Sequence, residues 1–239
     1  MMKQDAHRKQ GNSTHRLKVT LLIALIVIIS ISTVSFSYKF YEMESADARM
    51  AHLEQAILDL KAAMNVDSVR QYNIRRIMSI IDRYNKDMPS ETKYEIASAI
   101  YEMSLKYTNL SVDLICATIT QESGWKPDVV SHAGAIGLMQ IMPATGSFLA
   151  CSEGIQWTSP EDVLFNPVYN IRLGCRYLSA LVELYGVDGG LAAYNSGERR
   201  AALWLANNRD SKLLYQETRT YVPAILQLLK QFKNENGLM

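Results

Sequence analysis

The sequence predicts an all-α protein: a helical domain preceded by a transmembrane helix and a helical stalk. Three observations carry this. Apolar residues recur at three- and four-residue spacing from about residue 43 onward, and no sustained alternation argues for more than a small β-hairpin. Helix-start and helix-stop residues fall between those stretches. One uncharged apolar run, Val19–Tyr38, stands near the N-terminus. The 239 residues suffice for one ordinary domain with attachments. With 48% apolar and 21% charged residues, the chain is neither disordered throughout nor a polytopic membrane protein. A net charge of +1 lacks the basic excess of a nucleic-acid binder. Three cysteines, Cys116, Cys151 and Cys175, with no Cys-x-x-Cys pair, make neither a disulfide scaffold nor a structural zinc site.

Residues 1–18 carry Lys3, Arg8, Lys9, Arg16 and Lys18 against Asp5, a net +4. Residues 19–38 read as the transmembrane anchor; as a helix they rise roughly 30 Å, about one bilayer core. Residues 40–64 hold five acidic residues against Arg49 and Lys61, a net −3. Because Lys and Arg favour the cytoplasmic side, 1–18 is expected inside and everything after residue 38 outside. The expected location is a bacterial inner membrane, single-pass, with the domain in the periplasm or on the outer face. The rival is a cleaved signal peptide, for which Ser35-Phe36-Ser37 and Ser30-Ile31-Ser32 are acceptable sites. The long apolar run and long basic region favour the anchor, and both readings export the remainder.

Residues 39–88 read as a helical stalk or linker. Met43, Ala46, Met50, Leu53, Ile57, Leu60 and Met64 form a heptad seam of about three repeats. It suits either a self-associating stalk or an amphipathic helix lying on its own domain. A second stretch carries Val69, Ile77, Ile80, Ile81 and Tyr84 and breaks at Asn85–Pro89. The domain proper is expected over 89–239. Ser90 is a candidate N-cap for a helix with Ile96, Ile100 and Met103, and Ser111 for one with Leu114, Ile115 and Ile119 ending near Gly124. Residues 131–142 look irregular or hairpin-like. A long helix is expected from about Pro167 to Tyr185, then a Gly189-Gly190 turn, short helices over 191–195 and 199–205, and a last helix over about 217–232.

Four segments carry chemistry. Gln121-Glu122-Ser123-Gly124-Trp125 places a carboxyl on the last turn of an apolar helix. The helix C-terminus disfavours its charge by about 0.3–1 kcal/mol, and burial beside aromatic surface raises its pKa further. A carboxyl kept protonated near neutrality is what a general acid needs. Ser131–Pro143 is glycine-punctuated, with Gln140 amid apolar residues, and reads as a ligand-approaching loop or as a structural turn. Ala192–Gly197 and Glu217–Pro223 complete the set.

In this order, Glu122-Ser123, Gly137–Gln140, Ala193–Gly197 and Glu217–Val222 resemble the soluble lytic murein transglycosylase (SLT) family, and Asn170–Leu178 looks like that family's central helix. The resemblance covers roughly residues 95–230. It implies a lysozyme-like domain that cleaves the N-acetylmuramic acid–N-acetylglucosamine bond of peptidoglycan without water, leaving 1,6-anhydro ends. Carried over, Glu122 is the single acid/base. Ser131 and Gln140 bind glycan near the cut, and Met142 packs on a sugar face. Tyr194, Asn195 and Tyr221 line the groove, Asn195 and Tyr221 orienting the sugar or Glu122. No metal or cofactor is required. Asp113 and Asp128 belong to no motif that would make either a second catalytic carboxylate. Hydrolysis, as in goose-type lysozymes, and an inactive glycan-binding scaffold are the alternatives. Beyond peptidoglycan and the membrane, the tether suggests a cell-wall-spanning secretion or conjugation apparatus as partner. The family pattern does not account for Cys151 and Cys175. They are either a disulfide or, with Cys116, buried thiols.

Overall fold

The computed structural model describes residues 2–236, with side chains described over 19–43 and 49–235. The basic side chains of residues 3–18, and the seam residue Ala46, lie outside the described residues. The order is α1 (Met2–Tyr84), α2 (Ser90–Lys106), α3 (Val112–Ser123), α4 (Pro143–Ala150), α5 (Pro160–Leu164), α6 (Pro167–Ser196), α7 (Glu198–Ala206) and α8 (Gln216–Asn236), with short 3-10 turns at Cys151–Glu153 and Ser211–Leu213. No strand occurs among the described residues. The 131–142 segment makes only two isolated antiparallel bridges, Val130 with Ile136 and Ile136 with Ile141.

The chain divides into two compact units, Met1–Val66 and Asp67–Met239. In the first, Val19–Met43 is a helix long and apolar enough to cross a membrane, and none of it is buried. Beyond it, Met50, Leu53, Ile57 and Leu60 are exposed. Gln55 Nε2 donates to Asp59 Oδ1 at 2.9 Å, away from those four residues.

The second unit begins well before residue 89. Ile74, Ile77, Ile80 and Ile81, assigned above to the linker, are in its core. α3 is buried on all sides from Asp113 to Ile119, and its last turn reaches the surface. α6 packs against α2, α4, α5, α7 and α8, while α3 packs against α8. Ser111 caps α3, its side chain accepting from Leu114 N at 3.2 Å. Ser90 is not a cap: Pro89 holds that position and lends no side-chain bond, and its carbonyl accepts from Lys93 N.

The long helix breaks at Gly186 (φ 71°), not at Gly189-Gly190. The two glycines lie inside the continuing helix because that helix folds back on its first half. A Cβ on Gly190 would lie 2.8 Å from Val182 Cγ2. The absent side chains therefore serve close packing rather than a turn. The short helices α4 and α5 carry no periodicity long enough to announce them. No disulfide forms: Cys116 and Cys175 are buried free thiols, and Cys151 is exposed.

Asp113, on the first turn of α3, is buried and ion-paired to Arg76. The same guanidinium donates from Nη2 to the Phe232 carbonyl at 2.7 Å. Removing one partner of a buried pair strands the other charge and costs about 3–5 kcal/mol. Arg76→Ala should therefore lose stability on that scale in chemical denaturation. The Arg76→Ala/Asp113→Ala double variant should lose less than the two single losses combined.

Candidate active site

Four pieces of chain converge on one cleft of about 380 Å³: the end of α3, the 131–142 loop, the end of α6 and the start of α8. Its lining includes Glu122, Ser131, Gln140, Met142, Tyr194, Asn195 and Tyr221, so all seven residues named from the sequence meet there. Gln121, Ala133, Ala135, Glu217 and Thr220 also line it and were not anticipated as site residues. Glu217 and Thr220 sit inside the last motif, which was the available signal. Asp113 is held by Arg76, away from this lining.

Glu122 occupies the last turn of α3, which ends on two left-handed residues, Gly124 (φ 57°) and Trp125 (φ 66°). A bulky residue in that region is strained. Complete burial of the indole offsets the strain, with Trp125 Nε1 donating to Thr120 Oγ1 at 2.9 Å. Asn85 Nδ2 donates to the Trp125 carbonyl at 2.9 Å, tying off the helix end.

The loop is organised by Asn170, a fully buried residue of α6. Its Nδ2 donates to the carbonyls of Ile136 (2.8 Å) and Leu164 (2.9 Å), and its Oδ1 accepts from Met139 N (2.8 Å). Gly137 (φ 81°) passes so close that a Cβ there would lie 2.3 Å from Asn170 Nδ2. Within the loop, Gln140 Nε2 donates to the Gly137 carbonyl at 2.8 Å and to the Val129 carbonyl at 3.2 Å. Ser131 Oγ accepts from Ala135 N at 3.0 Å. Tyr194 OH donates to the Met139 carbonyl at 2.7 Å, joining α6 to the loop. Met142, 43% exposed, presents its thioether at the cleft edge.

The electrostatics single out Glu122. Tyr221 OH donates to its Oε1 at 2.5 Å. Burial pushes the Glu122 carboxyl up to about 7; the Tyr221 hydrogen bond opposes this and the Glu217 charge adds to it. Burial, then the Glu122 charge, pushes the phenols of Tyr194 and Tyr221 well above their ordinary value, so both remain neutral donors. The cleft thus holds one carboxyl poised to exchange a proton near neutrality. It also holds a second, more exposed carboxylate, Glu217, to which Asn195 Nδ2 donates at 3.2 Å. No cluster of three or more His, Cys, Asp or Glu suited to a metal occurs among the described residues.

A carboxyl whose folded-state pKa is raised stabilises the fold fully below its unfolded value, about 4.3, and loses that contribution as pH climbs toward about 7. Glu122→Gln cannot charge. Its Tm should match the parent's near pH 4 and exceed it progressively up to pH 8. A difference independent of pH would show that Glu122 is not desolvated.

Residues 99–215 match the family described as Transglycosylase SLT domain. The soluble lytic murein transglycosylase of Escherichia coli is 36% identical over 120 residues, which are 46% of this chain and 19% of that protein. Membrane-bound lytic murein transglycosylase C of Glaesserella parasuis is 30% identical over 145 residues, 52% of this chain and 40% of that one. The chain thus spans about a fifth of the soluble relative's length. Among solved structures it is similar to an inactive mutant of lytic transglycosylase Slt from Pseudomonas aeruginosa (TM-score 0.53, 28% identity, 59% of this chain and 24% of that). It is also similar to the 70 kDa soluble lytic transglycosylase of Escherichia coli (TM-score 0.51, 28% identity, 61% and 26%).

Proposed function

We propose, from the premise that residues 99–215 are a transglycosylase SLT domain, that this chain cleaves peptidoglycan between N-acetylmuramic acid and N-acetylglucosamine without consuming water. The observation that carries the reading is the desolvated Glu122 under the Tyr221 hydroxyl in the cleft. Tyr221 engages Oε1, which leaves Oε2 to carry the transferable proton. Protonated Glu122 gives that proton to the leaving glycosidic oxygen as the bond to the muramic anomeric carbon breaks. The N-acetyl carbonyl of the substrate supports the cationic centre. The Glu122 carboxylate then takes the proton of the muramic 6-hydroxyl, whose oxygen closes on the anomeric carbon as a 1,6-anhydro ring. Glu122 ends as it began.

One observation favours a second reading, hydrolysis. Glu217 supplies a second carboxylate in the same cleft, and two carboxylates are the usual equipment of a water-using glycosidase. Mass analysis of fragments from purified peptidoglycan separates the two. Intramolecular closure gives ends lighter by one water than reducing ends. Glu122→Gln should abolish cleavage in either case, and undiminished cleavage would remove Glu122 from the acid/base role.

The membrane arrangement belongs to the same proposal. The apolar helix Val19–Met43 anchors the chain in a bacterial inner membrane, with the basic N-terminus inside and the enzymatic domain outside. Two anchored copies necessarily run parallel. The seam then has Met50 and Ile57 at a and Leu53 and Leu60 at d, a combination that suits two parallel strands. Arg49 at g faces Glu54 at e of a second copy. Ile57→Cys should give a disulfide-linked dimer on mild oxidation in membranes, and Gln55→Cys, on the outer face, should not. Equal crosslinking of both would dismiss the seam.

A further inference from the structure

Beneath the cleft wall lies a hydrogen-bonded chain that the proposed chemistry does not use. Thr218, on the first turn of α8, is fully buried, and its Oγ1 donates to Asn195 Oδ1 at 2.6 Å. The same Asn195 donates from Nδ2 to Glu217 Oε1 at 3.2 Å. An amide presents an acceptor at one end and a donor at the other, and an ionised carboxylate can only accept. Glu217 therefore needs the Nδ2 end. That orientation turns Oδ1 to the opposite end, where the buried Thr218 hydroxyl donates to it. Reversing the amide would set Asn195 Oδ1 against the Glu217 carboxylate, oxygen to oxygen.

We propose that Thr218 is a positioning residue: its buried hydroxyl anchors the far end of the Asn195 amide, whose polarity the Glu217 carboxylate sets, and that amide in turn holds the Glu217 carboxylate at the cleft. Thr218 itself does not line the cleft, whereas Asn195 and Glu217 do. Glu122 is the other carboxyl of the cleft, and Tyr221 and Tyr194 are the phenols that face it. With the Thr218 hydroxyl removed, Asn195 Oδ1 loses its donor, so the side chain turns away and Glu217 loses its restraint. As a handicap on cleavage this rests on the function proposed above; as a statement about the orientation of Asn195 it does not.

The test uses the full-length chain in nanodiscs, labelled with ¹⁵N-asparagine, comparing Thr218→Val with Thr218→Ser. Valine keeps the volume and discards the hydroxyl; serine keeps the hydroxyl. The Asn195 side-chain amide signals, assigned by their loss in Asn195→Ala, should stand apart from those of exposed asparagines and should move in Glu217→Gln. They should do so in the parent and in Thr218→Ser. In Thr218→Val they should collapse toward solvent-exposed values and lose that dependence on Glu217, while the other asparagine signals stay in place. On peptidoglycan, Thr218→Val should lower kcat/KM roughly tenfold, mainly through KM, and Thr218→Ser should restore it. In the Asn195→Ala background the valine change should cost nothing further. Unchanged Asn195 signals in Thr218→Val, or a full additional loss in the Asn195→Ala background, would overturn the proposal. Absence of cleavage by the parent would instead count against the proposed function and leave the amide measurement standing.

Discussion

The chemistry proposed for the cleft depends on withdrawing one carboxyl from most of its water. α3 is buried from Asp113 through Ile119, so its last turn delivers Glu122 into surroundings that penalise charge. The helix dipole alone is worth under one pKa unit at such a position. The movement from 4.5 to about 7 is therefore mostly the work of desolvation, with Tyr221 pulling the other way. That opposition suits the acid-and-base role proposed for Glu122. Burial makes the proton available near neutrality, and the phenol keeps the carboxylate form from becoming prohibitively costly once the proton has gone.

The rest of the second unit supports that placement. The 131–142 loop has almost no regular structure, so its backbone groups need partners from elsewhere. Asn170 supplies two of them from inside α6, at the Met139 N–H and the Ile136 carbonyl, and Gly137 permits the approach. Tyr194 adds another bond from the same helix. The loop that walls the cleft is therefore held by the long central helix. The Gly186 break lets that helix fold back and bring Tyr194 and Asn195 round to the cleft.

Much of this was legible in the sequence, for a physical reason. Glu122, Gly137, Gln140, Asn195 and Tyr221 are residue types whose chemistry is costly to place by chance, and their order along the chain carries information that no single one does. What could not be read is what depends on three-dimensional neighbours. Gly186 and Gly189-Gly190 are equally able to break a helix, and only the contact with Val182 shows which pair is there for packing. Ile74, Ile77, Ile80 and Ile81 repeat at the same spacing as a stalk would, yet they lie in the core. Asp113 looks like a surface charge until Arg76 reaches it across 37 residues of chain. Glu217 was seen as part of a motif, but its presence beside Glu122 follows from how α8 lies along α3.

That last packing has a consequence of its own. Arg76 joins Asp113 near the start of α3 to the Phe232 carbonyl near the end of α8, and Tyr221 joins the start of α8 to Glu122 at the end of α3. The two helices therefore run antiparallel and are riveted at both extremities, one rivet ionic and remote, the other neutral and in the cleft. Over the nine residues from Asp113 to Glu122 a helix is a stiff rod of roughly 13 Å. Slack at the distant rivet would reappear as play between phenol and carboxyl, so the register of the Glu122–Tyr221 pair is underwritten by a guanidinium that does not line the cleft.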